Sequence, residues 1–334
     1  MPLPSRARRR QASLGMPTAP RVGVALLAAI ALLGTTALAG CGGSGSANIR
    51  FPGGSGRTLG QVRAGHRETL VLAPSTFVIN RGPNRFAFAL FDTSHKLIDA
   101  SRVALYTSDP SGGSVRGPFF AREESLAVQP RFQSRTVAED PNAAHFVYVA
   151  QVPFGESGPR YITALAEVQG HEVATTVDQL VVDPRGPQPP TVGQQAIPIH
   201  TPTVAQAHGN LSSNDTRVPP APDLQQVDFA QVLGRKPVVL MFATPGLCQS
   251  RVCGPVVDIE EQVKSQIGPR VAFIHQEIYK NNNPAQGLRP QVNAWYLATE
   301  PWTFVIDRSG RIATRIEGAF SAAELKRAVE KVLV

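Results

Sequence analysis

Two cysteines five positions apart, Cys248 and Cys253, with Pro255 just beyond them, constrain this chain more than any other feature. In a regular helix, residues five apart stand about 140° around the axis, with Cα atoms beyond the ~7 Å that a disulfide spans. Pro255 adds a second restriction, since proline is tolerated only in the first turn of a helix. If the sulfurs are bonded, Cys253 must lie within or just before a first helical turn, and Cys248 in the loop ahead of it. The flanks fit that placement. Val238 to Phe242 is a continuous apolar run after Pro237, the pattern of a strand buried on both faces. Ala243-Thr244-Pro245-Gly246 breaks it. Beyond the cysteines, Val256, Val257, Ile259 and Val263 recur at helical spacing among Asp258, Glu260, Glu261 and Lys264, which reads as an amphipathic helix. A helix N-terminus carries partial positive charge and favours thiolate over thiol. Arg251, between the cysteines, is expected to add to that effect.

The chain has three cysteines in all. The first, Cys41, closes the segment Leu38-Ala39-Gly40-Cys41, which follows an apolar run from Val22 to Ala39 and an arginine-rich beginning. This resembles a bacterial lipoprotein signal, which implies cleavage before Cys41, lipid on its sulfur and a protein tethered outside the plasma membrane. A transmembrane anchor is the alternative. In an oxidising compartment the two remaining cysteines should pair. A bridge closing so short a loop constrains the unfolded chain little, so a redox switch explains it better than a structural staple.

Net charge gives no support for nucleic-acid binding. The formal +8 falls to 28 basic against 25 acidic residues once the five arginines of the first forty positions are set aside.

Five regions follow from composition and periodicity: a signal peptide at 1–40, a Gly/Ser-rich tether at 41–60, a β domain at 61–183, a Pro-rich linker at 184–222 and an α/β domain at 223–334. About seven short strands in the β domain predict an all-β immunoglobulin-like sandwich. They are Thr69–Leu72, Thr76–Ile79, Arg85–Phe91, Val103–Tyr106, His145–Val149, Arg160–Leu165 and Thr175–Val182, with an irregular stretch from Ser108 to Pro141. Its histidines lack metal-ligand spacing, and no metal or other cofactor is expected anywhere in the chain. His275, at the end of a later strand, reads as a structural or surface residue. The last helix carries a capping box, Ser321 with Glu324, and a staple of Phe320 against Leu325.

Phe242-Ala243-Thr244 before a cysteine, Cys253-Gly254-Pro255, and the element order β-α-β-α-β-β-α together resemble the extracytoplasmic branch of the thioredoxin-like superfamily over Asp223 to Val334. The usual motif there is C-x-x-C, and this one is C-x4-C. The resemblance implies an α/β thioredoxin-like domain, a thiol–disulfide oxidoreductase acting on protein thiols and disulfides through Cys248 and Cys253, and a cis proline before the third core strand, matched by Pro301 with Trp302 after it. Met241 stands where the family carries a buried acid, and Leu247 where it carries a tryptophan. Either cysteine matches the family's attacking position, depending on which motif is aligned.

Three other readings fit parts of the pattern. Thr244-Pro245-Gly246 before C-x4-C resembles bacterioferritin-comigratory peroxiredoxins, with the threonine one place further from the cysteine. The Sco family of copper-handling assembly factors pairs two close cysteines with a later histidine, whose place falls near Thr299 here. A binding lipoprotein with a merely structural disulfide is the third.

Overall fold

The computed structural model describes residues 51–333, which belong to one compact unit, Ser46–Val334. Cys41, the segment read as a signal peptide and the first part of the stretch read as a tether lie outside the described residues. Among the described residues no helix is long and apolar enough to cross a membrane.

The first eight strands are β1 (Arg67–Pro74), β2 (Gly82–Asp92), β3 (Arg102–Ser108), β4 (Arg116–Ser125), β5 (Phe146–Phe154), β6 (Gly158–Val168), β7 (His171–Thr175) and β8 (Asp178–Val182). Their order is β3-β4-β5-β2-β1-β7-β6, and β3 pairs again with β6, so seven strands close into a barrel with β8 hydrogen-bonded to β6. This overturns the immunoglobulin-like sandwich. Both architectures need the same alternation of inward and outward side chains, and closure depends on pairing, tilt and stagger that alternation does not encode. Along β3, Val103 and Leu105 fill the barrel with Phe86, Phe88 and Tyr148. Ala104 and Tyr106 face the other way, against Phe51 and Leu59. Those two partners come from the stretch read as a tether, where Thr58 caps a short helix α1 (Leu59–Arg63) with a complete capping box.

The second sheet has the order β10-β9-β11-β12, from β9 (Val238–Phe242), β10 (Ala272–Gln276), β11 (Trp302–Ile306) and β12 (Ile312–Glu317). β9 and β10 run parallel, whereas β11 is antiparallel to both β9 and β12. One face packs against Phe229 and Trp295. The other takes the long helix α4 (Cys253–Ile267) and the final helix α6 (Ala322–Glu330). Two short helices intervene in sequence, α2 (Arg135–Ala138) and α3 (Phe229–Val232), and a third, α5 (Pro290–Ala294), precedes β11.

No boundary separates the two sheets into domains, which overturns the expectation of a separate C-terminal α/β domain. Ala87 of β2 and Val147 and Val149 of β5 point out of the barrel into the same apolar core as Val256, Ile259, Phe320 and Leu325. Polar ties reinforce it. Arg85 grips both oxygens of Glu324 at 2.7 and 2.8 Å, so only the Ser321 half of the expected capping box forms. Glu317 accepts from the backbone N–H groups of Phe77 and Val78. Gly318 passes so close to Ser75 that an added Cβ would lie 2.2 Å from its carbonyl oxygen, and its φ of +78° also requires glycine. The Pro-rich stretch lies along the second sheet, where Gln195 bridges to Arg311 and Ile199 is buried.

Candidate active site

Strand β9 ends at Phe242, and Thr244 to Gln249 turns across the top of the sheet to the start of α4. Cys248 and Cys253 are joined by a disulfide with a Cα separation of 5.9 Å. Cys253 is the first residue of α4, Pro255 lies in the first turn, and Cys248 is in the loop. The two sulfurs differ in access. Cys253 is fully buried, whereas Cys248 is 9% exposed and lines a groove of about 690 Å³. The hydroxyl of Ser250 lies 3.2 Å from Cys248 Sγ.

The far wall of that groove belongs to the irregular stretch between β4 and β5. Arg135, Val137, Asp140 and Pro141 face Leu247 and Cys248 across it. This wall leans on the start of α4 so closely that a Cβ on Gly254 would come within 2.8 Å of a Val137 methyl group. Two further contacts hold it. Asp258 of α4 accepts from the N–H and hydroxyl of Ser134, and Gln262 accepts from the N–H of Gln129. The helix is consequently buried on nearly every side, not only on one apolar stripe as its periodicity predicts. Asp258 is matched within the protein by Arg217, which also reaches Glu261, at 2.8 and 2.7 Å.

Glu300 is the residue that sequence reasoning missed. Its Oε2 lies 3.6 Å from Cys253 Sγ and accepts from the N–H of Thr244 at 2.9 Å. Burial pushes its carboxyl up to about 8, against the lowering effect of that Thr244 hydrogen bond. The nearest signal was positional. Glu300 directly precedes Pro301, and the Glu300–Pro301 peptide is cis. The register of β11 on β9 pairs Trp302 with Phe242 and thereby carries Glu300 towards the cysteine loop.

The other sequence candidates are distributed as follows. Pro301 is buried beside Glu300, with its carbonyl accepting from Gly318 at 2.9 Å. Trp302 turns to the far face of the sheet, stacks on Phe304 with ring centres 5.6 Å apart and donates to Thr299. Arg251 adopts a left-handed conformation, and one of its guanidinium nitrogens reaches both oxygens of Asp140 at 2.7 and 2.8 Å. Its charge is thus matched by the groove wall; burial, the largest single influence, would raise the Asp140 carboxyl, but Arg251 and the Asn142 N–H together hold it below the ordinary carboxylate range. His275 is buried in β10.

No protein-family model matches the chain, and no curated protein matches it. Among solved structures, the chain is similar to a thiol:disulfide interchange protein of the thioredoxin family from Chlorobium tepidum TLS. The identity is 19% and the TM-score 0.28, over 45% of this chain and all of the other. It is also similar to the Lin-41 filamin domain, at 14% identity and a TM-score of 0.19, over 34% of this chain and 92% of that one. Likenesses of this size leave the chemistry to be argued from the site's own residues.

Proposed function

We propose that this protein is a thiol–disulfide oxidoreductase that exchanges its Cys248–Cys253 bridge with protein thiols. The observation that carries the reading is the asymmetry of the bridge, one sulfur open to a groove and the other buried at a helix start beside a carboxyl group. A substrate thiolate attacks Cys248 Sγ in line with the bridge, forming a mixed disulfide and breaking the Cys248–Cys253 bond. Cys253 leaves as a thiolate, stabilised by the N-terminus of α4 and by the O–H that neutral Glu300 donates to it. A second substrate thiolate attacks its own sulfur in the mixed disulfide and releases Cys248. The substrate dithiol loses two electrons and the protein disulfide gains them. The reverse direction uses the same atoms. The L-A-G-C segment supports placing this chemistry on a lipid tether outside the plasma membrane, where disulfides persist.

The test is the reduction potential of the Cys248–Cys253 couple, measured against glutathione buffers with a dithiol peptide as substrate. Exchange with the peptide and a potential above about −300 mV are expected. A bridge that resists reduction below that value is a structural staple, and the enzyme reading fails. Faster turnover of hydrogen peroxide than of peptide would move the protein to the peroxidases.

Glu300 supplies a pH signature. Below about pH 8 it carries the proton it donates to the departing sulfur, and above that the donor is lost. The rate of bridge opening, expressed per attacking thiolate, is therefore expected to fall as pH rises through 8. In Glu300→Gln that inflection disappears, and the low-pH rate drops on the order of 100-fold. Stopped-flow measurement with dithiothreitol between pH 6 and 9.5 reads both effects, and an unchanged profile would remove Glu300 from the mechanism.

A further inference from the structure

Beneath the cysteine loop lies a second cluster that the redox reading does not use. Asp215 from the Pro-rich stretch, His275 of β10 and Glu277 just after it each offer one donor atom, and the three atoms lie within 4.8 Å of one another. All three residues are 1% exposed. Two polar atoms here have no hydrogen-bond partner, His275 Nδ1 and Glu277 Oε2. Buried polar atoms are almost always partnered, so a pair of orphans in one place calls for an occupant.

The surroundings favour a cation. His275 Nε2 lies 2.9 Å from the carbonyl oxygen of Ala243, which only an N–H can satisfy, so Nε2 is the donor. Nδ1 then points at Asp215 Oδ1 across 3.7 Å. That is too long for a hydrogen bond. It is close to the roughly 3.3 Å edge between neighbouring donors around a tetrahedral zinc ion with bonds near 2.0–2.1 Å. The outer sides of the carboxylates are also held. Glu277 Oε1 accepts from the N–H and hydroxyl of Thr216 at 2.6 and 2.7 Å, and Asp215 accepts from the N–H groups of Arg217 and Ala221. Metal-binding histidines and carboxylates are oriented by such outer contacts, the histidine through its second nitrogen. Glu260 of α4 is also fully buried, with neither oxygen hydrogen-bonded.

We propose that Asp215, His275 and Glu277 form a buried structural site for a divalent transition-metal ion of the zinc type. One imidazole with carboxylates suits zinc better than calcium or magnesium. The ion enters as the chain folds, because no donor faces solvent. It joins the Pro-rich stretch to β10 under the loop that carries the bridge, and Thr216, which orients Glu277, also accepts from the N–H of Gly246.

The test uses the full chain with its disulfide intact, together with a Cys248→Ser, Cys253→Ser double variant that removes thiolate ligands. Both are unfolded in guanidinium with chelator, then refolded with Zn2+, with Co2+ or with neither. One equivalent of zinc by elemental analysis is expected in both proteins, along with a higher melting temperature than the metal-free form. Glu277→Gln should lower zinc affinity by at least tenfold. X-ray absorption at the zinc edge gives the ligand set without relying on a variant that must fold, and it should show nitrogen and oxygen donors with an imidazole contribution. Less than a tenth of an equivalent, sulfur in the ligand shell, or undiminished affinity in folded Glu277→Gln would each overturn the proposal.

Discussion

Cys253→Ser is expected to accumulate a mixed disulfide between Cys248 and its substrate, while Cys248→Ser accumulates none. Cys248 lines the groove, whereas Cys253 is fully enclosed, so an incoming thiol or disulfide meets Cys248 first. With Cys253 in place, its sulfur attacks the mixed disulfide and frees the substrate. Without it, the adduct persists. Catalytic turnover should fall roughly 10³-fold or more in both variants, since nucleophile and resolving group act as one unit. Non-reducing electrophoresis after incubation with a disulfide-bonded protein separates the two outcomes, and intact-mass measurement counts the adduct. An adduct on Cys253 in the Cys248→Ser protein, with none in the converse variant, would reverse the assignment. The sequence left that choice open, because Cys253-Gly254-Pro255 and Phe242-Ala243-Thr244 point to different cysteines. Burial decides it.

Arg217→Ala should cost about 3–5 kcal/mol of folding free energy, the range for breaking a buried ion pair from one side. Arg217 is 5% exposed and Asp258 1% exposed. Its guanidinium reaches Asp258, Glu261 and the carbonyl oxygens of Phe132 and Pro219, so three separate stretches of chain lose a common partner. The deletion leaves the Asp258 carboxyl in the interior with only Ser134 to solvate it. Urea unfolding at pH 7 reads the loss as a shifted midpoint. Arg217→Lys keeps the charge but not the fork, and should recover part of it. A cost below about 1 kcal/mol would place the pair among weak surface contacts.

What the sequence disclosed was local. The apolar run of β9, the loop between the cysteines, the helix start at Cys253 and the Ser321 cap depend on neighbours in the chain, and they are found where those neighbours imply. What it concealed was long-range. Strand β4 carries mostly exposed or half-exposed residues and therefore lacks the alternation that marks a strand. Ile79, read as part of a strand, makes only an isolated bridge to Val182, and the single strand read at Thr175–Val182 is split between β7 and β8. The parallel contact of β1 with β7 and the second pairing of β3 close the barrel across distances that periodicity does not reach. The same holds at the site. Glu300 is 47 positions from Cys253, and Asp215 lies in a stretch whose composition reads as unstructured linker. Arg251, between the two cysteines in sequence, is instead engaged by an acid 111 positions away.

The apolar layer shared by β2, β5, α4 and α6 governs how the gene could be divided. A fragment ending after β8 would present Ala87, Val147 and Val149 to water, and the complementary piece would bare Val256, Ile259 and Phe320. Neither half is self-sufficient. Dissection at the apparent composition boundaries should give two insoluble products, with solubility returning only when both are co-expressed.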